Sequence, residues 1–365
     1  MADTISFARG APSLDIVDVE GLRESAQLAF ERDPAGTTAY GTSVGYVPLR
    51  EWIAEQHGVE VDQVLVTNGS MQADAFLFQL LVNPGDAVVV ESPTYDRTLL
   101  NLRNRAADIH MVELETDGIA VDALEDLLRG GVRPTLAHVI PNFQNPAGHT
   151  LSEAKRTRLL ELAGEFDFTL FEDDPYIAIR FEGESLRTMF SRDEAGKVVY
   201  ASSFSKTVCP GIRVGYLVGA QATIKQIQGI ATNTYISPNM VAQSIVNQFV
   251  RSGRMDSAVD TVKNALRERR DTLVAALERE LPEARFSPPQ GGYFMWVELP
   301  EEVRVAELET AAKERGVIFV KGTDFLLEGG ENTLRLAFSG VTPAQIDEGI
   351  SRLAEAARSI GVAAG

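Results

Sequence analysis

Cysteine is nearly absent from this chain of 365 residues: the single Cys209 excludes an intrachain disulfide framework and a cysteine-built metal site, and it fits a reducing, cytoplasmic setting. Histidine is scarce too. His57, His110, His138 and His149 share neither an i, i+4 spacing nor an HExxH pattern, so no metal site is expected and each reads as a surface or turn residue. Basic residues are outnumbered, 34 Lys plus Arg against 52 Asp plus Glu, and the formal charge of −18 opposes the counterion release that drives nucleic-acid binding. Nucleic acid and anionic membrane are therefore poor partners. No stretch approaches the roughly 18 apolar residues of a membrane span. The opening MADTISFARGAPSLD lacks the basic-then-apolar order of a leader, so neither export nor anchoring is expected. No G-x-G-x-x-G follows the first strand pattern and no G-x-x-x-x-G-K-[ST] occurs anywhere, which disfavours a nucleotide enzyme.

What remains is an ordinary globular composition, 44% hydrophobic and 24% charged, in a chain long enough for two domains. Short β-rich runs alternate with helical stretches: QVLVT, AVVVES, DIHMVEL, LAHVIP, FTLFED, KVVYAS and VGYLVG. That alternation predicts an α/β fold with a largely parallel sheet covered by helices, whose ligands bind where the strands end. A long amphipathic helix is expected over 256–280, from Val259, Val262, Leu266, Leu273 and Leu277. After it, YFMWVEL, VIFV and TLRLAF predict a small α/β unit, with which the first thirty or so residues pack.

The loops that leave the strands carry the chemistry. In VYASSFSK, Lys206 lies just beyond a buried strand, where desolvation can turn a lysine into a neutral nucleophile for carbonyls; the plainer reading is that Lys206 and Arg213 sit on a solvated loop. Ser203, Ser205 and Arg213 offer two hydroxyls and a guanidinium to a phosphate beside it. Ser70 and Met71 open the helix after TNG, where free amides favour an anion; the plainer reading makes Ser70 the helix cap. Tyr95 either stacks on a flat ring or fills the core. Asp173 ends a buried strand, where a carboxylate needs a cation such as a protonated ring nitrogen, while Tyr176 and Asn145 suit a ring oxygen or, alternatively, turn structure. Arg335 interrupts an apolar strand and requires an anionic partner such as a substrate carboxylate. Ser203-Phe204-Ser205-Lys206 also spells the S-x-x-K of penicillin-binding enzymes, but S-D-N and K-T-G companions are missing and a strand precedes it where a helix should open.

The ordered set YGTSVGYVPLRE, NGSMQADAF, ESPTY, PNFQNPAG, EDDPY, SFSKTVCPGIRVG, GGYFMW and NTLRLAFS resembles the class I/II aminotransferases of fold type I, most of all the branch of 2-aminoadipate aminotransferases and MocR-type catalytic domains. The resemblance implies pyridoxal 5'-phosphate (PLP) as cofactor and a large domain, 31–275, around a mostly parallel seven-stranded sheet. Residues 1–30 and 276–365 would form the small domain. It implies a cytoplasmic transaminase of amino-acid metabolism, working on an amino acid and a 2-oxo acid, with 2-oxoglutarate as one acceptor. Lyase, decarboxylase and β- or γ-replacement chemistry share the same cradle. By the same resemblance Lys206 is the Schiff-base lysine, Asp173 meets the pyridine nitrogen, and Tyr176 and Asn145 meet the ring hydroxyl. Tyr95 stacks on the ring, and Ser70, Met71, Ser203, Ser205 and Arg213 surround the phosphate. Arg335, with Asn145, holds the substrate carboxylate, and Tyr40 reaches the phosphate of a partner subunit in a homodimer. Met71 stands where the family usually has glutamine, which leaves that contact to the backbone. Arg9 replaces a more usual glycine and is either a candidate for a substrate side chain or a plain surface arginine. A MocR-type regulator would need a DNA-binding domain ahead of residue 7, for which the sequence leaves no room.

Overall fold

The computed structural model describes residues 3–361; the outermost residues of the expected small domain, 1–2 and 362–365, lie outside the described residues. Valine-rich runs such as Val64–Thr67 and Ala87–Ser92 are buried along both faces, as strands covered on each side by helices must be. They form one sheet in the spatial order Val64–Thr67, Gly215–Val218, Val198–Ser203, Thr169–Asp173, Leu136–Val139, Ala87–Ser92, Asp108–Glu115 and Gly118–Ile119. Seven of these strands match the expected runs. The eighth is a two-residue addition that folds back antiparallel on Leu114 and Glu115. Apart from it, only Gly215–Val218 runs against its neighbours. The carboxyl ends of five of the six co-directional strands, at Thr67, Ser92, Val139, Asp173 and Ser203, therefore gather on one edge.

A smaller antiparallel sheet runs Arg285–Phe286, Phe294–Glu298, Thr333–Ala337, Val320–Lys321, with Trp296 and Val320 opposite Arg335. The helix Arg254–Glu280 buries Val259, Val262, Leu266, Leu273 and Leu277, the expected stripe, and packs on the helix Pro343–Ser359. At one end, Ile5–Ser6 pairs in parallel with Val317–Ile318, and the Ala337 amide donates to the Phe7 carbonyl. The following helix, Val19–Arg32, lies instead on Met240–Arg251. Between these two anchorages the chain is pinned by buried Arg269, which donates to the Ser13 hydroxyl, the Ser339 carbonyl and Asp15. Residues 8–13 are thus held over the edge where the large strands end.

The candidate active site

Helix Ser70–Leu81 follows the strand Val64–Thr67 after Asn68 and Gly69, and its cap position is Gly69, at φ +87° and with no side-chain cap. Ser70 is the first helical residue rather than the cap, so its hydroxyl and the first-turn amides face the strand edge unengaged by a capping side chain. A side chain at Gly69 would strike the Arg213 guanidinium at 2.2 Å, and one at Gly215 would strike the Ser70 amide at 2.4 Å. The space that keeps these amides accessible is thus reserved by two glycines. Arg213 Nη1 donates to the Ser205 hydroxyl at 3.1 Å, and the Ser205 amide donates to the Ser203 hydroxyl at 3.1 Å. Amides, two hydroxyls and a guanidinium make a seat for an anion of phosphate shape.

Across the same cavity, of about 120 Å³, stand Lys206, Asp173, Asn145, Tyr176 and Tyr95. Ser70, Met71, Ser203, Ser205 and Arg213 share its wall, so ten of the expected site residues meet in one place. Lys206 Nζ donates to the Gly10 carbonyl at 2.7 Å and lies 5.4 and 5.2 Å from the ring centroids of Tyr176 and Tyr293. Burial foremost, then the positive charges of Arg335 and Arg213, push its amine down to about 8, against the pull of Asp173. Burial also raises the phenols of Tyr176 and Tyr95, the latter to about 12, so both remain donors.

Arg335 is buried between Phe294 and Phe325, 4.3 and 4.8 Å from their centroids. It donates to Asn145 Oδ1 at 2.9 Å and to the Ala8 carbonyl at 2.6 Å, while its Nε has no partner. Carbonyls of Ala8 and Gly10 thus receive Arg335 and Lys206, and Arg9 lies exposed between them, without an ion pair among the described residues. Tyr40 is not brought to this cavity. It is 87% exposed and lines a separate surface hollow with Asp33, Val47 and Met240.

Four groups escaped the sequence reading. His138 is no surface or turn residue: it is wholly buried on its strand because the neighbouring strand register sets it beside Phe171, and its Nε2 stands 3.4 Å from Asp173 Oδ2. His57 is likewise packed among Phe190, Tyr200 and Tyr216, and burial drives its imidazole down to about 4. Glu91 accepts from the Gln144 amide at 3.0 Å and from the Ile140 amide at 3.2 Å, which fixes the turn that presents Asn145; burial raises its carboxyl to about 8. Asp74 faces the cavity from the helix, buried, with Oδ1 unpartnered. No spacing rule links residues 74, 91 and 138 to the strand-end loops. Asp174, by contrast, points away, accepting from Asn142 Nδ2 at 2.8 Å near Arg156.

Comparisons with known proteins bear on this site. Residues 2–353 match the family model described as aminotransferase class I and II. An aromatic-amino-acid aminotransferase of Thermococcus litoralis is 34% identical over 97% of this chain and 88% of its own length, and a 2-aminoadipate transaminase of Thermus thermophilus is 32% identical over 98% and 90%. Among solved structures, a Pyrococcus horikoshii kynurenine aminotransferase, in complex with PMP, superposes with a TM-score of 0.94 at 33% identity, covering 100% of this chain and 93% of that one.

The buried amine gives a measurable signature. In cofactor-free protein, reductive methylation followed by peptide mapping should label Lys206 with a midpoint near about 8, below that of the exposed lysines. Arg335→Met should move that midpoint upward, since the guanidinium is one of the charges that depresses it. Labelling of Lys206 in step with the exposed lysines, or a downward shift in the variant, would contradict the electrostatic account.

Proposed function

The chain belongs to the class I and II aminotransferases, PLP-dependent enzymes of fold type I, and we propose that it moves the α-amino group of an aromatic or 2-aminoadipate-like amino acid to a 2-oxo acid at the strand-end pocket. The observation that carries this reading is Lys206, a largely buried lysine whose amine is pushed down to about 8 by burial, between an anion seat and a buried carboxyl.

The residues fit the cofactor. Asp173 Oδ1 is buried without a partner, which suits a protonated ring nitrogen, and His138 backs the other oxygen. Asn145 and Tyr176 suit the ring hydroxyl and Tyr95 the ring face; the amides at Ser70 and Met71, with Ser203, Ser205 and Arg213, suit the phosphate. When bound, PLP supplies an electron sink that stabilises negative charge at the substrate's Cα. Lys206 Nζ, neutral in a useful fraction at physiological pH, takes the proton from Cα. Arg335 exchanges the Ala8 carbonyl for the substrate's α-carboxylate, a charge-assisted pair that supplies orientation, and Asn145 holds its other face. The segment 8–10 then shields the pocket from water, linking a smaller unit of Ile5–Ser6 and 276–365 to a large unit on which Val19–Arg32 is packed.

Arg9 reads the far end of the substrate. Its exposed guanidinium, flanked by the two residues whose carbonyls meet Lys206 and Arg335, suits the second carboxylate of 2-aminoadipate or 2-oxoglutarate. The active unit is a homodimer in the cytoplasm, where the lone Cys209 remains reduced. Support for the dimer is the exposed Tyr40, with Val47, Val241 and Ile236 exposed as well. Tyr40 then serves the phosphate seat of the second copy.

Amino donors added singly to the PLP-loaded protein should bleach its visible band with 2-aminoadipate and with aromatic amino acids, and Lys206→Ala should abolish the change. Arg9→Gln should raise KM about tenfold for the dicarboxylic donor alone, the scale of one exposed charge-assisted contact. Bleaching by Lys206→Ala, or an equal loss for both donor types, would refute the respective assignments. The shared site is tested by mixing inactive Lys206→Ala with inactive Tyr40→Glu under conditions that exchange subunits. Recovered activity is expected because one of two sites in each hybrid is intact; no recovery after demonstrated exchange would leave Tyr40 serving its own subunit.

A further inference from the structure

The cavity has two buried carboxyls where the mechanism uses one. Asp74, on the second turn of helix Ser70–Leu81, is 3% exposed, and its Oδ1 has no hydrogen-bond partner. Asp173, at the end of its strand, is 4% exposed with Oδ1 equally unpartnered, and both side chains line the same cavity. The cations nearby are committed elsewhere: Lys206 to the Gly10 carbonyl, Arg213 to Ser205, Arg335 to Asn145 and Ala8. Among the described residues neither Lys nor Arg forms an ion pair with Asp74 or with Asp173. The remaining titratable neighbours are Tyr95 and Tyr176, which are neutral, Glu91, which is tied to Gln144 and the Ile140 amide, and His138, behind Asp173.

Two carboxyls that line one small cavity, out of water and without a cation, resist ionising together, since a charge on either raises the cost of a charge on the other. The environment decides which keeps its proton. Asp173 has an imidazole nitrogen 3.4 Å from Oδ2, whereas the burial of Asp74 and the charge of Asp173 both act to raise the Asp74 carboxyl well above its ordinary range. We propose that Asp74 holds the proton of a carboxyl pair with Asp173, so that the ring-nitrogen end of the cofactor pocket carries a single negative charge at neutral pH. Asp74 is then a positioning residue. By remaining neutral it leaves Asp173 as the one anion that a ring cation can meet, and by ionising in alkali it would add a second.

This inference rests on Asp173 as the partner of the ring nitrogen, so the first measurement avoids the cofactor. In the full chain stripped of PLP, the infrared spectrum of the wild type minus that of Asp74→Asn at neutral pH should show the carbonyl stretch of a protonated carboxyl, shifted on deuteration. Asp74→Leu serves as a second neutral variant should the amide disturb the fold. PLP titrated into the same proteins should bind wild type and Asp74→Asn within about twofold at neutral pH, because no charge is removed. Their affinities should diverge only as the solution becomes alkaline. Absence of the protonated band, or a loss of about tenfold or more in neutral-pH affinity in Asp74→Asn, would overturn the proposal. Asp173→Asn, measured alongside, should weaken PLP binding. An unchanged affinity there faults the role given to Asp173, independently of where the infrared band puts the proton.

Discussion

Everything at the strand edge depends on charges taken out of water. Each ion moved from solvent into such a site costs several kcal/mol even after relaxation, unless opposite charge or hydrogen bonds compensate it. Here the compensation is incomplete by design of the local structure. Lys206 relieves part of its cost by giving up its proton more readily than a solvated lysine, while Asp173 and Arg335 each retain one buried polar atom without a partner. A pocket held in this state favours a ligand that brings a cationic ring atom, a phosphate and a carboxylate in one object. One of these groups, Lys206, is also the base in the proposed reaction.

The surroundings keep those groups from relaxing. Glu91 and Gln144 lock the turn that carries Asn145, and Asn142, Asp174 and Arg156 form a second buried network directly beneath it. Arg269 holds the N-terminal segment so that two carbonyl groups one residue apart, at Ala8 and Gly10 on either side of Arg9, receive Arg335 and Lys206. That segment is covalently continuous with Ile5–Ser6, which pairs in parallel with Val317–Ile318. Preorganisation of this kind lowers the reorganisation needed when charge develops on the substrate.

Much of this was legible in the sequence because strand-end loops carry their chemistry in contiguous words. SSFSK, EDDPY and FQNPAG each follow a β-rich run, and the topology of parallel strands brings the ends of such runs together without any knowledge of side-chain contacts. Arg335 was legible because a guanidinium within TLRLAF contradicts its own strand. His138 and Asp74 were not. Histidine in LAHVIP passes for a turn residue until the register of two neighbouring strands sets it against Asp173, and the carboxyl in QADAFLF reads as the polar face of a helix whose rotation about its axis no local pattern fixes. Ser70 was open between cap and first turn until the positive φ of Gly69 decided it. The eighth strand, of two residues, is too short to carry a period.

The strand-end groups orient the cofactor: ring nitrogen toward the unpartnered, buried Asp173, phosphate toward the uncapped helix and Arg213. A crystal structure of the PLP-loaded enzyme measures this directly. The account predicts electron density continuous from Lys206 Nζ, the ring nitrogen within hydrogen-bond distance of Asp173 Oδ1, and phosphate oxygens on the Ser70 amide and the Arg213 guanidinium. A ring turned so that its nitrogen faces Tyr176 and Asn145, or a phosphate seated away from Ser70, would contradict it.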